Sequence, residues 1–493
     1  MNVSKDANVR ICFVKLSAPL VDACDVARVT IDMLPDVALL EIFRFYLGGV
    51  HDEPIEVWQM LVHVCRKWRN IVFESPRRLN LRLCITARTT VRATMDIWPL
   101  LPIVLYIYTG EMRDESDDWD EDNIIAALEH NDRICEIRFF EFPASQSKRV
   151  LTAMQQPFPE LTHLYIDFVG EAPLQPLADS FLGGSAPRLQ TLLLLWIPFP
   201  GLPKLLLSAT HLAHLELWEI PPSGYFSPEA IVNALSVLTS LESLVIGFES
   251  PGSRPNRCPL PQTRTLLLIL TRLIFNGDDD YLEDLVARID APLLEDLRIA
   301  FFYQLIFDTA QLTQFIGRTP KFKGDDKAHV EINDWNVSVT LPQAIDGRLS
   351  LGIRCTGRDP DLQLLSLAQV CGSLFPQGLI HAVEHLYIDR SRSLSHWEQD
   401  TVESRQWLDL LRPFSTLKCL YISWQFATRI APALQELVWG RATEALPTLQ
   451  TLFLGEADLS GPVLDAIGQF VAARLLVGHP IAVSGWEKTV LNN

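Results

Sequence analysis

Leu161-Thr162-His163-Leu164-Tyr165-Ile166, Leu189-Gln190-Thr191-Leu192-Leu193-Leu194 and Leu212-Ala213-His214-Leu215-Glu216-Leu217 are three copies of one pattern. An apolar residue is followed by two variable positions, an apolar residue, one variable position and another apolar residue. The same pattern reads at Ile134/Ile137/Phe139, Leu241/Leu244/Ile246, Leu270/Leu273/Phe275 and Leu294/Leu297/Ile299. After a gap it returns at Val383/Leu386/Ile388, Leu417/Leu420/Ile422 and Leu449/Leu452/Leu454. The first seven starts lie 27, 28, 23, 29, 29 and 24 residues apart, and the last three 34 and 32. A period in the twenties and thirties marks stacked supersecondary units. Alternation within each copy predicts a strand. Helix-like stretches fill the intervals. In Ser227 to Leu238, Ser227 is placed to cap, Pro228 takes the first helical position and Glu229 falls in the first turn. Each unit therefore reads as strand, loop and helix.

Weaker copies at Leu79/Leu81/Leu83, Val104/Tyr106, Val330/Ile332 and Leu349 to Ile353 raise the expected total to about 12 to 14 strands. The pattern resembles the leucine-rich-repeat family, whose consensus is L-x-x-L-x-L. That resemblance implies an α/β solenoid, a curved parallel sheet with outer helices, over residues 76–493, with weak repeats near 300–380. The asparagine or cysteine that usually follows the consensus is mostly missing, so the units are irregular. In such strands the third, fifth and seventh positions point to the concave side. The candidate target-binding residues are His163, Tyr165, His214, Trp218, Arg272, Arg298, His385, Tyr387 and Tyr421. Aromatic and arginine side chains suit a protein-binding surface.

Residues 30–75 have another character. Asp32-Met33-Leu34-Pro35-Asp36 reads as a helix start. The predicted helix, Pro35 to Leu47, is apolar on more than one face. A second helix is predicted from Pro54 to Glu74, with Trp58, Leu61, Val64, Cys65, Trp68 and Val72 at steps of three and four. A module of about 45 residues cannot bury that much apolar surface by itself, so one side must face another chain or domain. Leu34-Pro35-Asp36, Leu40, Ile42, Phe43 and Val64-Cys65-Arg66-Lys67-Trp68-Arg69 closely resemble the F-box, as found in large families of fungal F-box proteins. Ser75 to Leu81 resembles the junction seen in that group, whereas Gly48 to Glu56 is a longer connection than usual. The resemblance implies docking to the small adaptor subunit of an SCF-type cullin–RING ubiquitin ligase, and through it to cullin. Leu34, Pro35, Ile42, Phe43, Val64, Cys65 and Trp68 would form or support the adaptor face. The expected organisation is an extension (1–29), an all-helical F-box-like module (30–75) and the solenoid. The expected function is substrate recognition within the ligase, with no catalytic residue and no cofactor. The alternative is a non-ligase repeat scaffold for protein–protein interaction.

Lys and Arg total 42 against 60 Asp and Glu, a net charge of −18, with pI near 5.1. This balance argues against nucleic acid and anionic membrane surfaces as partners. No apolar run reaches the ~18 residues that a membrane helix needs. The nine cysteines are scattered without a C-x-x-C pair, which fits a reducing compartment and an intracellular chain, cytoplasmic and/or nuclear. Lys5, Asp6, Arg10 and Lys15 interrupt the first 30 residues, so no signal peptide is expected. His381-x-x-Glu384-His385 spells a zinc-peptidase-like signature, but Val383 starts a repeat and puts His385 on a strand. Residues 66–92 carry eight Lys/Arg and one Glu, and Glu111 to Asp122 carry eight acidic residues and Arg113. Both runs read first as solvated surface.

Overall fold

Parallel stacking of the repeats sets up one hydrogen-bond ladder, and the backbone shows it directly. The residue after the first leucine of each unit offers its carbonyl to two N–H groups of the next unit. Thr162 O accepts from Gln190 and Thr191, Gln190 O from Ala213 and His214, and Ala213 O from Glu242 and Ser243, all at 2.8–3.1 Å. The series continues at Glu242 O and Thr271 O and resumes at Glu384 O and Lys418 O. The computed structural model describes residues 31–48, 57–86, 89–98, 100–108, 121–144, 147–170, 174–251, 263–302, 307–323, 325–332, 336–342, 347–354, 360–374, 377–390, 404–438, 443–455 and 461–486. The extension 1–29, the connection 49–56 and most of the acidic run lie outside the described residues. The chain divides into Met1–Leu81 and Arg82–Asn493.

The first unit holds α1 (Asp36–Gly48), α2 (Val57–Val64) and α3 (Arg66–Glu74). Leu39, Leu40, Phe43, Trp58, Leu61, Val62, Ile71 and Val72 make its core. Phe43 packs on Trp68, with ring centroids 4.7 Å apart. The single second helix expected from the spacing is two helices. Cys65 adopts extended backbone (φ −160°, ψ 169°), and its thiol accepts the Trp68 N–H at 3.5 Å. It thus satisfies one of the free donors at the start of α3.

The second unit contains β1 (Leu83–Thr86), β2 (Ile103–Tyr108), β3 (Ile134–Pro143), β4 (His163–Val169), β5 (Thr191–Leu195) and β6 (His214–Ile220). These are followed by β7 (Ser243–Phe248), β8 (Thr265–Leu266), β9 (Arg272–Gly277), β10 (Ile289–Asp290), β11 (Asp296–Phe302) and β12 (Lys327–Ile332). The last six are β13 (Asn336–Pro342), β14 (Arg348–Arg354), β15 (His385–Arg390), β16 (Cys419–Ile422), β17 (Thr451–Gly455) and β18 (Ala482–Trp486). Among the described residues, sixteen of these form one sheet, and β8 pairs separately with β10. The motif's apolar positions are buried throughout, Leu161, Leu164, Ile166, Leu189, Leu192 and Leu194 being examples. They pack beneath helices such as Pro228–Leu235, whose first turn is capped by Ser227 Oγ accepting from Ala230 N–H at 3.2 Å. Threonine hydroxyls add side-chain bonds between neighbouring units. Thr162 Oγ1 donates to Cys135 O (2.8 Å), Thr416 Oγ1 to His381 O (2.8 Å) and Thr448 Oγ1 to Leu417 O (2.9 Å). Each stitches a unit to the one before it.

Two expectations are corrected. The sheet is not wholly parallel, and the weak stretch holds three strands rather than two. Strand order follows the chain except between β11 and β15, where it runs β14-β13-β12. β14 is parallel to β11 and β12 to β15, but β13 is antiparallel to both its neighbours. The β12–β13 connection spans only three residues, enough for a hairpin and too short for a parallel crossover. Glu141 and Glu219 take positive φ (51° and 52°) where the registers of β3 and β6 slip. Glu219 ion-pairs with Arg354 at 2.9 Å, although β6 and β14 are four ladder steps apart. Four steps would span ~19 Å in a flat sheet, more than two side chains reach, so the sheet curves. No helix among the described residues is long and apolar enough to cross a membrane.

Candidate functional site

In the three-helix unit the structure separates core from surface. Phe43 is 1% exposed and belongs to the core, not to an adaptor face. Trp68 is half-buried against it, and Cys65 is occupied as a cap. Leu34 is half-buried, and its carbonyl accepts from Lys67 Nζ at 2.9 Å. Pro35, Ile42 and Val64 are exposed. The sequence reading left out Val37, Phe45, Tyr46 and Met60, which are also exposed, Phe45 at 87%. Ala38, Ile42 and Phe45 follow i, i+4, i+7 spacing and form a stripe on α1 away from Leu39, Leu40 and Phe43. The available signal was the apolar character of α1 on two sides.

On the sheet, register places the candidate residues in rows on the helix-free face. His163 aligns with Thr191, His214, Ser243 and Arg272 through β4, β5, β6, β7 and β9. Tyr165 and Arg298 lie in the next row, as do Tyr387 and Tyr421. Trp218 occupies a third row beside Leu195. The first group is aromatic: Phe140 lies 4.2 Å from Tyr165, and Tyr106 5.5 Å from Phe140. His163 Nδ1 is 2.8 Å from Thr162 Oγ1, and burial lowers its pKa.

The middle of the face is ionic. Arg298 grips Asp296 with two bonds of 2.9 and 2.8 Å, while Arg272 stands 3.8 Å from Asp296 and 4.0 Å from Glu216. Trp218 Nε1 donates to Glu216 at 3.1 Å. Ser243, Val245 and Ile274 are buried on this same face, so the exposed surface is divided there.

The third group is a ring ladder. His329, Tyr387, Tyr421 and Phe453 stack on four successive strands, with centroids 4.7, 4.2 and 4.4 Å apart and interplanar angles of 10°, 11° and 3°. Trp486 lies across Tyr387 and Tyr421 at 6.0 and 5.7 Å. His385 Nδ1 is 3.4 Å from the Tyr421 hydroxyl. Burial raises the Tyr421 pKa, and Tyr387 raises it further. The alternation Lys327-x-His329-x-Glu331 was the signal for His329, whereas β18 lacks the motif that would have pointed to Trp486.

The His381-x-x-Glu384-His385 residues do not converge. His381 Nδ1 is 3.1 Å from Ser415 Oγ, Glu384 pairs with Lys418 at 2.6 Å, and His385 lies on β15. Among the described residues no three His, Cys, Asp or Glu side chains are grouped to hold a metal. A cleft of about 500 Å³ is lined by Cys371, His381, Asp409 and Arg412. Burial pushes the Cys371 thiol up, the reverse of what a nucleophile needs.

No family model matches the chain, and no curated relative matches it. Among solved structures it is similar to the crystal structure of the leucine-rich repeat-containing protein LegL7 from Legionella pneumophila. The identity is 13% over 79% of this chain and 97% of that one, with a TM-score of 0.26. The class of the second unit rests on its own topology: parallel strands in chain order, interrupted by one hairpin insert and backed by helices, an α/β repeat solenoid.

Proposed function

We propose that this chain is the substrate-recruiting subunit of an SCF-type cullin–RING ubiquitin ligase. The helical unit docks the adaptor, and the helix-free face of the solenoid holds a target protein. The observation that carries this reading is the apolar stripe on α1 in which Ile42 and Phe45 are exposed beside the half-buried Ala38, with exposed Val64 on α2, in a segment whose sequence resembles the F-box. The solenoid supports it by offering aromatic and arginine side chains at fixed spacing. The contribution to catalysis is proximity: the target is tethered near a conjugating enzyme, and no catalytic residue is needed in this chain. The reading places the chain inside the cell.

The test is capture of the full chain by purified adaptor. Burying a phenylalanine contributes ~1.5–3 kcal/mol, so Ile42→Asp/Phe45→Asp should weaken capture by more than tenfold without altering the fold. Tyr387→Ala/Tyr421→Ala should leave adaptor capture intact. Equal capture of wild type and the stripe variant would leave a non-ligase scaffold as the reading.

A further inference from the structure

Among the described residues, the last unit of the solenoid leaves an edge open in both of its layers. β18 is the last strand of the sheet among the described residues, and Ala482 to Gly485 are exposed. Ala482 N–H donates to Gln450 O at 2.8 Å, so Ala482, Ser484 and Trp486 turn their backbone groups toward β17. Val483 and Gly485 then turn theirs outward, by the alternation of a strand. Natural edge strands are blunted by charge, proline or a bulge. Ala482-Val483-Ser484-Gly485-Trp486 contains no charge and no proline, and its register with β17 is unbroken.

The helix layer ends in the same way. The helix Gly461–Leu476 buries Val463, Ile467, Phe470 and Arg474 beneath the sheet. Gln469 bonds Gln435 at 2.8 Å and so marks the flank that touches the preceding helix. Leu464, Gly468, Val471 and Leu475, at i, i+4, i+7 and i+11, lie on the opposite flank. Leu475 is 63% exposed and Val483 47%. A Cβ built on Gly468 would meet nothing within 4 Å, which leaves room for a close approach.

We propose that a second copy of this chain covers this end, through antiparallel pairing of β18 with β18 of the partner about a two-fold axis normal to the sheet. Only that operation joins strand to strand and helix stripe to helix stripe in one step, because both layers stay on their own side. Val483 would exchange two hydrogen bonds with the partner's Gly485, and Gly485 two with the partner's Val483. Ser484 would face Ser484 of the partner subunit as a non-hydrogen-bonded pair, the closer of the two antiparallel spacings. The chain carries −18 in all, but the strand and the stripe carry no charge, so this contact brings no like charges together. The pairing is independent of adaptor binding.

Sedimentation velocity of the full chain tests it. The expected mass is twice 55.7 kDa. Val483→Lys and Leu475→Glu should each give monomer with unchanged far-ultraviolet circular dichroism and melting. Ser484→Cys should form an interchain disulfide under mild oxidation, while the wild type, with its nine cysteines, should not. A wild type that stays monomeric at the highest concentration reached overturns the proposal. So does a dimer that persists in Val483→Lys and does not cross-link through Ser484→Cys. A wild-type monomer that dimerises only after removal of residues 487–493 would assign the edge to those residues and also overturn it.

Discussion

Arg474→Met should loosen the end of the solenoid and leave its other repeats unchanged. The Arg474 side chain is 1% exposed, and its guanidinium donates to the carbonyls of Leu446 and Leu449 at 3.0 Å each and to Pro447 O at 3.4 Å. It ties the last helix to the loop ahead of β17. Methionine keeps most of the stem's volume, so the cavity contribution is small. The two short bonds come from a charged donor and stabilise by ~1.5–3 kcal/mol each. The cation's own desolvation offsets part of that, which places the expected loss near the lower end, ~3 kcal/mol. In a repeat array such a loss is felt by the nearest units rather than by the whole. Hydrogen exchange read by mass spectrometry should show residues 443–486 losing protection by about two orders of magnitude. Strands β1 to β11 should keep theirs. Unchanged protection at 443–486, or a loss spread evenly over the sheet, would refute this account of Arg474.

Burial, with the Asp308 and Asp279 charges adding to it, lifts the Glu283 carboxyl to about 7, although the backbone N–H groups of Gln311 and Leu312 favour its charged form. Between its ordinary 4.5 and about 7 the folded chain holds a proton that the unfolded chain has released, so stability falls as pH rises through that window. Glu283→Gln should therefore gain on the wild type across that range in denaturant midpoints. A pH-independent difference contradicts the assignment. Tyr421→Ala removes the ring contacts with its two nearest stacked neighbours, Tyr387 and Phe453, each worth ~0.5–1.5 kcal/mol. Urea unfolding should show a loss of ~1–3 kcal/mol beyond the lost burial, and a change within error of zero would mean that the ladder is idle. Thr448→Val should cost ~1 kcal/mol by stranding Leu417 O, read as faster exchange at the β16–β17 junction. Unaltered exchange there would show that the threonine stitch contributes nothing.

The ladder was legible because its signal is redundant: ten copies of one spacing each place leucines at positions that must be buried together, and errors at single copies do not move the register. The insert was harder because β12 and β13 lack that spacing. A local cue was nonetheless present. Asp346-Gly347 stands between the alternating runs Val337/Val339/Leu341 and Leu349/Leu351/Ile353, a strong short-range hairpin signal. The spacing puts Cys65 inside one continuous helix rather than at a cap, because cysteine seldom caps a helix and nothing in its neighbours announces the break. In α1 the excess of apolar residues was visible, but the choice between Phe43 and Phe45 was not. The two are separated by 200° on the helix, and only the packing of Trp68 decides which one points inward. The rows of the helix-free face followed from the period of two, whereas the burial of Val245 and Ile274 on that face did not, because alternation assigns a side chain to a face but not its exposure there.

The reversed insert has a consequence for synthesis. A ribosome delivering this chain from its amino end can add β1 to β11 to the growing edge one after another, apart from the small side pair. β12 then emerges with no seat, since its place is three steps beyond that edge and both of its eventual neighbours are still to come. Only when β14 appears can the hairpin bridge the gap, and the later repeats build on β12 rather than on β11. The array is thus two blocks joined by a weld, and units can be gained or lost on either side of it without disturbing the join.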